Sequence, residues 1–120
     1  MIKYELLNGG DLAFIGDAYL ELTIRKYVID KGITSLNALH DECVKYVNRA
    51  SQYKMIQGLK DELSDEEIEI FKRGRNYNYK NKSLEYINAS GYEALIGYLY
   101  LKKDYERLDY IIKKSIDLIN

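Results

Sequence analysis

One carboxylate stands alone in an apolar stretch. Ser90-Gly91-Tyr92-Glu93-Ala94-Leu95-Ile96-Gly97-Tyr98-Leu99-Tyr100-Leu101 carries a single charge, Glu93, among twelve residues that are otherwise apolar or small. A carboxylate in such surroundings needs a partner, because burying an unpaired charge is prohibitively costly. A second segment has the same character. In Leu12-Ala13-Phe14-Ile15-Gly16-Asp17-Ala18-Tyr19-Leu20-Glu21, Gly16 precedes Asp17 amid apolar neighbours, although glycine inside a helix costs about 1 kcal/mol relative to alanine. The small residues beside each acid (Gly16, Ala18, Gly91, Ala94, Gly97) let two helix backbones approach closely.

The expectation is that these two helices cross and bring Asp17 and Glu93 to one hard cation. Mg²⁺ takes oxygen ligands and commonly uses only one or two carboxylates, keeping other positions for water and phosphate. The alternative is structural: each acid forms a buried ion pair with a lysine or arginine from another helix.

The rest of the chain reads as helix. Gly9-Gly10-Asp11 suggests a turn with Asp11 as N-cap. A first helix then runs from about Leu12 to Lys31, with Leu12, Ile15, Tyr19, Leu22 and Val28 on its apolar face and Gly32 after its end. Thr34-Ser35 can cap a second helix, and Tyr53, Met55, Ile56 and Leu59 mark a third. Ser64-Asp65-Glu66-Glu67 is a capping box, opening a helix that stops near Gly74. Asn76 to Lys82 reads as a loop. Helical pattern resumes by about Tyr86 and again from Tyr105 to Ile119, and no segment shows sustained strand alternation. The expected fold is all-α, a single domain over 1–120 with six or seven helices.

Composition narrows the class. A chain of 120 residues without proline or tryptophan and with scattered glycines supports one core and shows no linker. It has no membrane-length apolar run and no signal-peptide layout at its start. The single cysteine, Cys43, suits a reducing cytosol and reads as a buried small hydrophobe. The net charge of −1 weighs against a protein that coats nucleic acid generally. That sum hides segregation. Asp61 to Ile70 holds six acids and no base, whereas Lys72 to Lys82 (KRGRNYNYKNK) holds five bases and no acid. Such neighbouring blocks suggest a solvated face followed by a loop that meets a polyanion.

The two acid-bearing segments resemble known motifs. LAFIGDAYLEL is similar to the signature helix of ribonuclease III enzymes, whose G-D-A core places a metal-binding aspartate. SGYEALIGYLYL resembles the family's second motif, whose glutamate is the other central ligand. Arg73-Gly74-Arg75-Asn76, Leu39-His40 and Ser51-Gln52 resemble the Mini-III branch, which lacks a separate double-stranded-RNA-binding domain. Larger members carry further acids where this chain has Ala13 and Ser90, and the branch lacks them too. Departures from the branch pattern are a shorter loop after Asn76, Tyr86-Ile87 where Tyr-Arg is expected, and Asn48-Arg49 in place of Ser-Ala.

The resemblance implies a single ribonuclease III-type endonuclease domain in which Asp17 and Glu93 are the catalytic, metal-binding pair. It also implies a Mg²⁺ cofactor that Mn²⁺ can replace, a cytoplasmic homodimer, and hydrolysis of double-stranded RNA to 5′-phosphate and 3′-hydroxyl ends. The implied substrate is the stem of large-subunit (23S) ribosomal RNA precursor. Glu21, one turn after Asp17, is a candidate carboxylate behind the metal ligands, or else a salt-bridge partner of Arg25. His40 is expected to serve structure or RNA contact rather than catalysis. Duplex RNA is read by shape through phosphates and 2′-hydroxyls. Arg73, Arg75, Lys80 and Lys82 are candidates for the phosphates, Asn76 and Asn78 for the sugars, and Gln52 for RNA contact by branch resemblance. Arg73 has a structural alternative, since it lies where a cation favours the end of a helix. The rival reading is a ribonuclease III-like module that binds structured RNA without cutting it.

Overall fold

The computed structural model describes residues 2–120; Met1, the first residue of the expected 1–120 domain, lies outside them. Six helices follow in order: α1 (Gly9–Asp30), α2 (Leu36–Val47), α3 (Arg49–Leu59), α4 (Asp65–Arg75), α5 (Leu84–Lys102) and α6 (Tyr105–Ile119). Single 3₁₀ turns occupy Tyr4–Leu6 and Lys60–Glu62, and there is no strand among the described residues. The fold is all-α, as the periodicity implies.

α5 is the axis of the molecule. Every residue from Asn88 to Leu99 is buried, because the other helices surround it. A helix apolar on all sides has this place in a fold, and the single charge within it, Glu93, is carried inside. α1 crosses α5 along the stripe Leu12, Ala13, Gly16, Leu20, Ile24 and Val28. At the crossing the backbones nearly touch: a Cβ on Gly16 would lie 1.8 Å from the Glu93 carbonyl oxygen, and one on Gly97 2.0 Å from that of Leu12. These glycines bring the two acid-bearing turns together.

The helix boundaries follow from identifiable caps, with some corrections. α1 starts at Gly9, not Leu12, and its cap is Asn8, whose side chain accepts from the Asp11 N–H. Tertiary packing draws the two glycines into the helix, since a Cβ on Gly9 would lie 2.2 Å from the Arg73 carbonyl oxygen. Leu22, expected on the buried face, is exposed along with Phe14 and Ile29; the stripe against α5 follows i, i+4 steps that leave them outside. α3 begins at Arg49, earlier than its apolar residues suggest, because Asn48 caps it through the Ser51 N–H. α4 continues through Gly74 to Arg75. The Ser64–Glu67 capping box forms as read, and Arg107 of α6 grips the Glu67 carboxylate with two nitrogens at 2.9 Å, tying α4 to α6. Cys43 is buried.

Substituting Gly16→Ala forces the added carbon into peptide backbone that no rotamer change can move. Thermal or denaturant unfolding should show a loss of about 3 kcal/mol or more, at or beyond the upper end of ordinary overpacking. A loss below about 1 kcal/mol would show that the crossing can open.

Candidate active site

Gly16 and Gly97 set the helix spacing that brings Asp17 to Glu93. Asp17 lies at the surface of α1, and its carboxyl group is close enough to Glu93 to help raise that group's pKa. Glu93 is only 3 % exposed. Two side chains of α3 hold it: Arg49 Nη1 donates to Oε1 at 2.8 Å, and Gln52 Nε2 donates to Oε2 at 3.3 Å. Arg49 Nη1 also donates to Gln52 Oε1 at 3.3 Å, closing a small network. No buried side-chain nitrogen or oxygen among the described residues lacks a partner.

Electrostatics follow from this packing. Burial pushes the Glu93 carboxyl up to about 8, the hydrogen bond with Asp17 adds to the rise, and Arg49 opposes it. A buried carboxyl group with a second carboxyl group beside it favours its neutral form. Among the described residues no cluster of three or more metal-binding side chains occurs; Asp17 and Glu93 would offer a cation two hard carboxylates. That set fits Mg²⁺, which leaves its remaining positions to water and phosphate oxygen. Ala13 and Ser90 are buried and fill the places where larger relatives carry acids.

The other candidate residues are distributed as follows. Glu21 pairs with Arg25 at 3.2 Å, the salt-bridge alternative. It lines a cleft of about 240 Å³ between α1 and α2 together with His40, which is exposed. Gln52, a candidate for RNA contact, is 1 % exposed and therefore unavailable to a duplex; its amide is committed to Glu93. Arg73 Nη1 donates to the carbonyls of Glu5 and Leu7, binding the N-terminal turn to α4. Arg75 stacks on Phe71, with its guanidinium 5.5 Å from the ring centre, and donates to Asn76 Oδ1. Lys80 and Lys82 are exposed in the loop, Lys82 donating to Asn78 at 2.6 Å.

That loop is pinned by rings. Tyr77 packs against Tyr79 with centroids 5.0 Å apart, Tyr79 against Tyr86 at 5.5 Å, and the Tyr79 hydroxyl donates to the Gly74 carbonyl at 2.7 Å. The column ends on Arg49, whose guanidinium lies 4.7 Å from the Tyr86 ring centre. Arg49 is the one residue of the site that sequence reasoning did not single out. Its only signal was the departure from the branch pattern at Asn48-Arg49.

A ribonuclease III domain model matches residues 10–104. The Mini-ribonuclease 3 of Streptococcus pneumoniae is 39 % identical over 99 % of this chain and 98 % of its own length. That of Clostridium tetani is 43 % identical over 89 % of this chain and 75 % of its own, and that of Staphylococcus aureus 38 % over 97 % and 92 %. The crystal structure of protein FN1578 from Fusobacterium nucleatum superimposes with a TM-score of 0.83 at 32 % identity, covering 93 % of both chains. The domain match takes in most of the chain and the relatives align over nearly all of it, so this chain belongs to the ribonuclease III family, in its Mini-ribonuclease 3 branch.

The Glu93 environment predicts how stability depends on pH. An unfolded glutamate releases its proton near the ordinary 4.5, whereas folded Glu93 keeps it to about 8. Between those values the folded state binds more protons, so stability is fully present below about pH 4.5 and is lost as pH rises through about 8. In chelator, the unfolding temperature should fall across this window, and Glu93→Gln should flatten the slope. An equal slope in wild type and variant would assign the dependence to other groups.

Proposed function

We propose that this chain is a Mg²⁺-dependent endoribonuclease that hydrolyses double-stranded RNA. The observation that carries this reading is the meeting of Asp17 and Glu93 where α1 crosses α5. Mg²⁺, or Mn²⁺ in its place, would be held by these two carboxylates and would activate water and stabilise charge on a phosphate. The chain's own part is positioning. Gly16 and Gly97 fix the distance between helices, while Arg49 and Gln52 hold Glu93 against rotation. The buried walls of α5 keep bulk water from its inner side.

Lys80 and Lys82 on the tyrosine-pinned loop, with Arg75 at the end of α4, are suited to duplex phosphates, and Asn76 and Asn78 to sugar hydroxyls. Arg73 is the least free of the basic set, since it is already engaged by Glu5 and Leu7. The natural substrate in this reading is the base-paired stem of large-subunit ribosomal RNA precursor, an assignment resting on branch resemblance. The reduced Cys43 accords with work in the cytoplasm, and among the described residues no helix is long and apolar enough to cross a membrane.

The test is cleavage of a long RNA duplex with Mg²⁺ by wild type and by Asp17→Asn. Wild type should cut and leave 5′-phosphates. Chelator should stop it, and the variant should lose activity by about a hundredfold or more, in line with loss of several kcal/mol of charge stabilisation. The rival module, which binds RNA without cutting, draws on one observation: Arg49 already neutralises Glu93. Binding of the duplex without cutting by wild type would establish that rival.

We also propose a homodimer through α1 and α2. Phe14 is 82 % and Leu36 81 % exposed, with Leu22 and Ile29 also outward. Ile29 and Leu36 line the cleft between α1 and α2 together with Leu39 and Cys43. Sedimentation should give twice the chain mass for wild type, and Phe14→Asp should shift it to the monomer while remaining folded. A monomeric wild type would sink the dimer.

A further inference from the structure

Resting on the ribonuclease reading, we propose that Arg49 is a phosphate-binding residue of the active site: held by one nitrogen against Glu93 and by its face against Tyr86, it offers its remaining N–H groups to a backbone phosphate of the RNA.

Three features of the side chain carry this. The first is unused donor capacity. A guanidinium has five N–H donors in a rigid fork. Among the described residues Arg49 spends only Nη1, on Glu93 and Gln52, while Nε and Nη2 donate to no protein atom. By contrast Arg107, the other arginine gripping a buried glutamate, uses both Nε and Nη2 on that carboxylate and on the Glu62 carbonyl. Arg107 is built as a structural tie, and Arg49 is not.

The second feature is placement. The Arg49 side chain is 38 % exposed although its partner Glu93 is 3 % exposed. It lines an open groove of about 400 Å³ with Asn81, Ser83, Leu84, Glu85 and Tyr86. One end of the guanidinium is therefore anchored beside the carboxylate pair while the rest faces a groove large enough for a phosphodiester. That groove adjoins the loop bearing Lys80 and Lys82. Stacking on Tyr86 fixes the plane of the fork without consuming a hydrogen bond.

The third is charge. Two carboxylates and one divalent cation sum to zero, so the attraction of a phosphate would rest on coordination to the cation alone. Adding Arg49 leaves the loaded site with one positive charge, directed at the groove. A planar, permanently charged fork suits phosphate oxygens. A residue that merely neutralised Glu93 would need neither the exposed position nor the idle donors.

The experiment separates metal binding from RNA binding. Mn²⁺ affinity is measured without RNA, by titration calorimetry or electron paramagnetic resonance. Duplex RNA affinity is measured by fluorescence anisotropy with Ca²⁺ in place of Mg²⁺, over a range of salt. Wild type, Arg49→Ala, Arg49→Gln and Arg49→Lys are compared, with thermal unfolding as the check that each is folded. Arg49→Ala should bind Mn²⁺ at least as tightly as wild type, because a neighbouring cation has gone. It should bind the duplex about tenfold more weakly, as expected for a lost charged hydrogen bond, and its salt slope should shrink by about one. Arg49→Gln should behave alike if the alanine variant is unstable, and Arg49→Lys should keep the slope. Unchanged duplex affinity and slope would overturn the proposal. So would a fall in Mn²⁺ affinity matching the fall for RNA, since Arg49 would then act only by shaping Glu93. A wild type that binds neither Mn²⁺ nor duplex would instead remove the ribonuclease reading beneath it.

Discussion

Everything in this molecule that bears on chemistry depends on how closely two helix backbones approach. The contact between Gly16 of α1 and Gly97 of α5 leaves no space for a methyl group on either side. Without that approach, Asp17 on the surface and Glu93 in the interior would lie on separate sides of a layer of side chains. Glycine in mid-helix is locally unfavourable, and twice here that local cost is offset by packing that only glycine permits.

The site gains its charge balance from a third helix. α1 and α5 each bring an acid, and α3 brings both Arg49 and Gln52 to the same carboxylate. A buried glutamate facing another carboxyl group would otherwise drive its helices apart or hold a proton at all working pH. With Arg49 in place, part of the Glu93 charge is offset from within the protein. The same arginine touches the aromatic column of the basic loop, so that loop and the buried acid share a neighbour.

What could be read in advance was whatever has a local cause. The Ser64–Glu67 box, the Ser35 cap and Gly32 beyond α1 each satisfy backbone groups within a few residues, and each stands where the sequence places it. The carboxylate pair was legible because a lone charge among apolar residues demands explanation. Other features depend on contacts distant in sequence. Gly9 and Gly10 read as a turn until α4 packs against the first and the Tyr77 ring against the second, and Leu22 fits a helical period yet faces outward. Gln52 looks like a polar surface residue until Glu93 is seen beside it. The end of α5 has no local mark: Lys103 takes a left-handed φ of 66°, a conformation usually given to glycine. Arg49 could be noticed in the sequence only as an oddity, because its partner is 44 residues away.

The tyrosine column implies something about how this protein can diversify. The loop owes its inner side to Tyr77, Tyr79 and Tyr86 and to one hydroxyl bond to Gly74, while the Lys82–Asn78 and Ser83–Asn81 bonds shape its outer side. Side chains of that outer side, such as Lys80, can therefore drift through generations without disturbing the helices behind them. Preference for one RNA over another can be rewritten on the outer surface of the rings, while the acids at the helix crossing, enclosed by glycine and by Arg49, stay fixed.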